Sequence, residues 1–368
     1  MRKLQRTIQR VAALGVVLAG TAGAQLPEGL VPSVKNPPTR QGTRGANFLQ
    51  VGIGARAQAM AGAVVSNIEG PTAWYWNPAG AASTETFSMA ATRQNLYEGL
   101  DITMNYAGVT LPVWGGAFGV TFNSLNSGDM LRTAEFAPFG DATVGENFNY
   151  TATAVSMGYA RRLTDRLDVG GDIKFVSEGL TDVKTQWVAL DLGTQFRTGI
   201  YGMTIGASLQ NIGPSGQAKG ELVRRIVATD QAFFQNTSLD LDTQETDLPT
   251  LFRFSVGTDL IGSASSVFGP GGGLHTVNGE VSFFDAIDTN LQFAYGAEYG
   301  FKNLAFVRLG KRFYNDDRVF GSEKGMYGLS GGLGLRLPMS GRAIRFDYAY
   351  TSLGELRNVQ VFSFEFGR

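Results

Sequence analysis

Cysteine is absent from the 368-residue chain and histidine occurs once, as His275. Disulfide cross-links are therefore excluded, as are zinc centres built from several Cys and His ligands. No metal and no cofactor is expected. Charge is also scarce. Asp, Glu, Lys and Arg together make up 17% of residues, and the formal net charge is −1. A chain without a basic run is a poor partner for nucleic acid, and none is expected. Long apolar runs are missing too. Nothing approaches the roughly 20 continuous apolar residues that a transmembrane helix needs.

What is present begins with export. Arg2, Lys3, Arg6 and Arg10 precede the short apolar stretch "VAALGVVLAG", and "AGA" closes at Ala24. This is the pattern of a secretory signal peptide over residues 1–24, too short to span a membrane as a helix. Its removal takes away four positive and no negative charges, moving the net charge from −1 to −5. Residues 25–45 are Pro-rich, polar and aperiodic, and read as a flexible periplasmic lead-in. Residues 46–85 are Ala-rich with helical character. They include "AWYWNPAGAAS", where two of the four tryptophans stand against Asn77-Pro78. A proline there suits neither a helix interior nor a central strand.

From Thr86 onward the chain alternates with a period of two. "RLDVGGDIKF" sets Leu167, Val169, Ile173 and Phe175 opposite Asp168, Gly170, Asp172 and Lys174. "FRFSVGTDL" sets Phe252, Phe254, Val256 and Leu260 opposite Arg253, Ser255, Gly257 and Asp259. Such alternation fits a soluble sandwich with its apolar face inward, or a membrane barrel with its apolar face toward lipid. Runs of about ten residues favour the barrel, because a tilted strand of that length crosses a bilayer. Inward positions dominated by Gly, Ser and single charges suit a crowded or water-filled lumen. Aromatics at run ends (Tyr295, Tyr299, Phe362, Phe366) suit interfacial girdles.

The expected fold is all-β: a transmembrane antiparallel β-barrel over residues 86–368, with residues 46–85 as a plug inside the lumen. Its strands are predicted at 86–93, 101–111, 115–125, 147–161, 166–178, 184–197, 202–211, 251–260, 276–285, 289–299, 303–313, 327–337, 343–352 and 358–367. That is an even number, as bacterial barrels have. Long connections follow the third, seventh and eleventh strands, and tight turns follow the second, fourth and twelfth, so one mouth should carry the long loops. The stretch 261–275 and the short "AID" after the ninth strand break this rule.

"NFLQVGIGARAQAMAGAVVSNIEGPTAWYWNPAGAAS" resembles the N-terminal signature of the PorV/PorQ family, within the wider group of barrels similar to FadL, the long-chain fatty-acid transporter. Gly54-Ala55-Arg56-Ala57, Met60, Gly62, Ala63 and Trp76-Asn77-Pro78-Ala79-Gly80 carry the likeness, with Ala61 where the family tends to have Gly. "GLSGGLGLRL" and "FDYAYTSLGELRNVQVFSFEF" resemble its last strands. The resemblance implies a 14-stranded barrel in the bacterial outer membrane, plugged from within. It further implies work with the type IX secretion system, docking cargo that carries a C-terminal β-sandwich signal.

The candidate plug residues are Gly54, Arg56, Met60, Trp74, Trp76, Asn77 and Pro78. The Trp74–Pro78 corner is expected to wedge against the lumen wall, each indole N–H meeting a polar wall group. It acts either as a gate element or only as packing that leads the chain into the first strand. Strand parity turns Asp168, Asp172, Lys174, Asp191, Arg253, Asp259, Glu280, Glu298, Arg336, Arg345, Asp347 and Glu365 inward, to brace the interior as ion pairs or line a selective pore. Bracing is the favoured account.

An alternative function is transport of hydrophobic molecules, with Phe136, Phe139, Phe233 and Phe234 of the two longest loops as ligand or partner contacts. The partners expected are outer-membrane lipid, type IX secretion components or their cargo, and hydrophobic small molecules. No enzyme activity is expected, since the lone histidine borders a Gly-rich turn. "GIGARA" matches a dinucleotide fingerprint by chance, outside any βαβ unit. "GPGGG" at 269–273 reads as a turn. Asp240, Asp242 and Asp247 lack the spacing of a calcium loop and read as a solvated loop.

Overall fold

The computed structural model describes residues 40, 42–133, 147–227, 237–240, 243–314, 327–339 and 341–367. A single antiparallel sheet closes on itself through fourteen strands. They are β1 Ser88–Leu96, β2 Ile102–Val113, β3 Gly116–Asn126, β4 Tyr150–Arg162, β5 Leu167–Leu180, β6 Val183–Arg197 and β7 Thr204–Ile212. The circuit continues with β8 Leu251–Ile261, β9 His275–Ala286, β10 Gln292–Phe301, β11 Ala305–Phe313, β12 Leu329–Met339, β13 Arg342–Ser352 and β14 Asn358–Phe366. Every expected strand lies within about three residues of an observed one at both ends, inside the usual uncertainty of sequence-read boundaries. Each strand pairs with its sequence neighbours, and β14 closes on β1 with Phe362 opposite Arg93. Closure leaves no unpaired sheet edge, which a chain in lipid requires.

The alternation sorts the two faces. Leu309, Leu333, Leu335, Phe175 and Phe346 stand outward and are about half exposed or more. An exposed apolar belt of this extent is an aggregation liability in water and a match to hydrocarbon. Among the described residues no helix is long and apolar enough to cross a membrane. The strands are what cross.

One mouth carries the long connections 127–149, 213–250 and 314–328, and we refer to it as the outer mouth. The connection 213–250 contributes short ribbons, Gly216–Gln217 paired with Glu245–Thr246 and Arg224–Val227 paired with Thr237–Asp240. The opposite mouth has tight turns, except for 262–274 after β8. There a 3-10 turn at Gly271–Gly273 needs Gly272 at φ 66°, which glycine adopts without cost.

Candidate functional site

The lumen is filled by the chain's own N-terminal part. Residues 46–83 form two short helices, α1 Ala55–Ala59 and α2 Ala73–Trp76, and two 3-10 turns, Asn47–Gln50 and Pro78–Ser83. Their apolar side chains (Ile53, Met60, Val64, Trp74, Trp76) are buried to 0–1% exposure. The segment enters at the outer mouth. Gly45 N donates to Asp247 O of the 213–250 connection at 3.0 Å, and Ala46 N to Glu178 Oε2 near the outer end of β5 at 2.5 Å. Arg44 also pairs with Asp247. The chain then descends and leaves beside the tight-turn mouth to begin β1. The described part of the lead-in, Gly42–Gly45, thus sits at the mouth opposite to the expected periplasmic one. Its position is set by contacts more than a hundred residues away in sequence.

The barrel wall is notched to take this segment. A Cβ on Gly119 or Gly158 would lie 2.0 or 2.5 Å from the Trp74 ring. On Gly193 it would lie 2.1 Å from Asn77 Oδ1, and on Gly170 2.6 Å from the Pro78 backbone. Met60 occupies the same kind of space against Gly296 and Gly310, whose added Cβ atoms would meet it at 2.7 and 2.3 Å. Inward glycines of β3–β6, β10 and β11 therefore supply room for particular plug residues.

Polar contacts pin the segment in place. Trp74 Nε1 donates to Thr110 Oγ1 of the wall at 2.9 Å, whereas Trp76 Nε1 donates to Ile53 O within the plug at 2.8 Å. The expectation of a wall partner for both indoles is corrected for Trp76, whose edge turns toward its own segment. Asn77 Nδ2 donates to Val65 O and Thr194 O, both at 2.9 Å, and its Oδ1 accepts from Ala79 N. Pro78 opens the following 3-10 turn, where its missing N–H leaves nothing unsatisfied. Gly54, at φ 86°, opens α1, and Ala55 N donates to Ser363 Oγ at 2.8 Å.

The inward charges divide into groups. Arg56 of α1 reaches Glu298 at 3.1 Å, and Glu298 also meets Arg308 at 2.5 Å and Arg345 at 3.5 Å. Arg308 and Arg345 both continue to Asp347, at 2.7 and 2.9 Å. Arg308 is the hub of this cluster and fully buried, and it is not among the charges expected to face inward. The signal was present, since "FVRLGKRF" places Arg308, Gly310 and Arg312 on one face. Glu280 accepts from Ser66 N and Ser255 Oγ, and Glu365 from Thr72 Oγ1. Lys174 pairs with Asp191 at 2.7 Å, and Asp168 with Arg162 and Arg197. Asp172 lies opposite Asp191 with both carboxylate oxygens buried and unpartnered. Asp259 and Arg336 are half-buried and pair with no described residue of opposite charge. Arg253 has no carboxylate partner either; its Nη1 donates to Tyr75 O at 2.9 Å.

Phe136, Phe139, Phe233, Phe234 and Asp242 lie outside the described residues, as do residues 1–24. Asp247 is engaged by protein groups. The Ser215 hydroxyl donating to it, with the Arg44 guanidinium alongside, holds its carboxyl below the usual range.

No family model and no curated protein matches the sequence. Solved structures do match in fold. The monoaromatic hydrocarbon channel CymD aligns at a TM-score of 0.52 and 12% identity, over 86% of this chain and 96% of that one. The toluene transporter TbuX of Ralstonia pickettii gives 0.51 and 12%, over 86% and 97%. The toluene transporter TodX of Pseudomonas putida gives 0.51 and 11%, over 86% and 96%. The chain shares the barrel fold of these structures. At such identity the likeness is one of architecture alone. It matches bacterial outer-membrane proteins and leaves the PorV/PorQ resemblance to be weighed on its motifs.

The site is therefore a closed lumen: a polar-walled cylinder occupied by a segment that no strand pairing ties down. Glycine notches, hydrogen bonds and one shared ion cluster hold it, and each of these contacts is reversible.

Proposed function

We propose that the chain is a FadL-like outer-membrane channel that admits hydrophobic compounds, with residues 46–83 as its gate. The observation that carries this reading is the way the lumen is closed. The plug is held by side-chain contacts and fitted notches, so it can shift without breaking the barrel's backbone ladder. A structure closed this way suits intermittent passage better than a standing water pore. The solved structures of similar fold that are named as toluene transporters and a monoaromatic hydrocarbon channel support the choice of apolar cargo. The decisive experiment reconstitutes the purified protein in liposomes and follows uptake of labelled toluene against a sugar of similar size. Toluene entry no faster than in protein-free liposomes would overturn the proposal.

A second reading keeps the PorV/PorQ resemblance: docking of exported cargo or type IX secretion partners at the outer mouth. The ribbons of the 213–250 connection favour it, since they build a structured outer surface that also grips Gly45. It predicts partner proteins co-purifying from mildly solubilised outer membrane, and repeated recovery of the barrel alone would count against it.

A further inference from the structure

We propose that the outward side of the barrel wall carries a binding site for one phosphorylated glycolipid of the outer leaflet, of the lipid A class. Its phosphate sits on Arg93 and an acyl chain fills the groove beneath. The site faces away from the lumen, so it stands whether or not the lumen conducts and whatever the plug does.

The wall is recessed at the seam where β14 closes on β1. A groove of about 650 Å³ runs along its outward side, within the range of volumes that hold a ligand. Ala91 of β1 forms its floor, with Ala107 of β2 directly opposite in register. One bank is aromatic: Phe346 packs on Phe364 at 5.3 Å between ring centres, and Tyr348 on Phe362 at 5.0 Å. A recess with this lining in the lipid-facing belt is filled by hydrocarbon, and the hydrocarbon at hand is a lipid chain.

Arg93 stands at the head of the groove. Its neighbours Thr92 and Gln94 are buried in the lumen, where Gln94 Nε2 donates to Gly52 O of the plug at 2.8 Å. Arg93 therefore points out, and it is exposed. Among the described residues its guanidinium has neither an ion pair nor a hydrogen bond. Strand pairing fixes its level. Arg93 lies opposite Phe362 on β14 and Asn105 on β2. One outward step toward the outer mouth brings Asn95, Thr103 and Gln360, all polar. One step the other way brings Ala91, Ala107 and Phe364, all apolar. Arg93 thus marks the upper edge of the apolar belt, the level of the outer-leaflet headgroups.

An arginine turned toward lipid is costly at mid-membrane and tolerated at the interface, where it can reach a polar partner. A lipid phosphate supplies that partner, and guanidinium N–H groups match its oxygens in pairs. The Asn95 and Asn105 amides beside it, without hydrogen bonds among the described residues, suit the hydroxyls of a sugar headgroup. One cation, two free amides and an apolar groove in line fit a phosphorylated glycolipid better than a small glycerol headgroup. The assignment to the outer leaflet rests on the outer-membrane reading and on which mouth faces out.

The test is native mass spectrometry of the full-length chain in a nonionic detergent, titrated with lipid. The probes are monophosphoryl lipid A, the same lipid with its phosphate removed, and phosphatidylglycerol. The phosphorylated form should bind about ten-fold or more tightly than the dephosphorylated one, the worth of one charge-assisted pair. R93Q should abolish that preference. R161Q, which removes an exposed arginine of β4 near the opposite mouth, should leave it intact. A91F, which fills the groove floor, should weaken both forms of the lipid while the phosphate preference persists. Equal binding with and without phosphate, equal loss in R93Q and R161Q, unchanged affinity in A91F, or tighter binding of phosphatidylglycerol than of lipid A would each overturn the proposal. Should the variants fail to fold, the comparison of the three lipids on the native chain decides alone.

Discussion

Adding one methyl group to the barrel wall should unseat the plug without harming the barrel. Gly193 of β6 faces inward, and a Cβ there would sit 2.1 Å from Asn77 Oδ1, 2.9 Å from Pro78 Cδ and 3.0 Å from Pro78 N. Asn77 cannot swing aside freely, because its amide bridges Val65 O and Thr194 O. The clash therefore falls on the whole Asn77-Pro78 corner. Forcing an extra methyl into a packed site of this kind costs about 1–3 kcal/mol. The barrel ladder is unaffected, so the cost lands on the seated state, and about 2 kcal/mol raises the unseated fraction roughly 30-fold. Gly279→Ala is the matched control: the same methyl on an outward position of β9, where the nearest atom is Leu260 Cδ1 at 3.5 Å. Hydrogen exchange over residues 46–83 reads the plug, and heat-dependent gel migration reads the barrel. Gly193→Ala should lose protection only in the plug, and Gly279→Ala should lose none. Equal plug protection in both variants, or unfolding of the Gly193→Ala barrel itself, would refute the notch argument.

Three further outcomes are expected. Arg308→Met leaves Glu298 and Asp347 short of a buried partner and should lower stability by about 3–5 kcal/mol, measured by urea unfolding in detergent. Trp74→Phe keeps the ring near Gly119 and Gly158 but deletes the hydrogen bond to Thr110; the plug should loosen by about 1 kcal/mol, seen as faster exchange in α2 and not in the strands. The Asp247 carboxyl, held low by Ser215 and Arg44, steadies the outer entry of the plug while ionised. That contribution is complete above the ordinary carboxylate range near pH 4 and is lost as pH falls through the lowered folded value, so exchange at 43–46 should rise only in acid below about pH 4. Arg44→Ala should show the faster exchange at every pH.

What the sequence determined is the cylinder. Alternation with a period of two is a local property, legible from neighbours alone, and it placed the fourteen strands, their faces and the mouth with long connections. Loop residues such as Phe136 and Phe233 carry no such period, so nothing local says what they touch. Inward glycines at 119, 158, 193 and 310 were readable as a crowded interior but not as seats for Trp74, Asn77 and Met60. A seat exists only once closure brings a wall residue against one far away in the chain. The same holds for the direction in which the plug is threaded, for the inward turn of Trp76 toward Ile53, and for Arg308 as the point where three strands and α1 share charge. The inward arginines are the clearest case. Parity turns Arg253 and Arg308 inward, but only the folded barrel decides that Arg308 meets Glu298 and Asp347 while Arg253 donates to the Tyr75 carbonyl, because burial makes that pairing matter and tertiary contact alone assigns it.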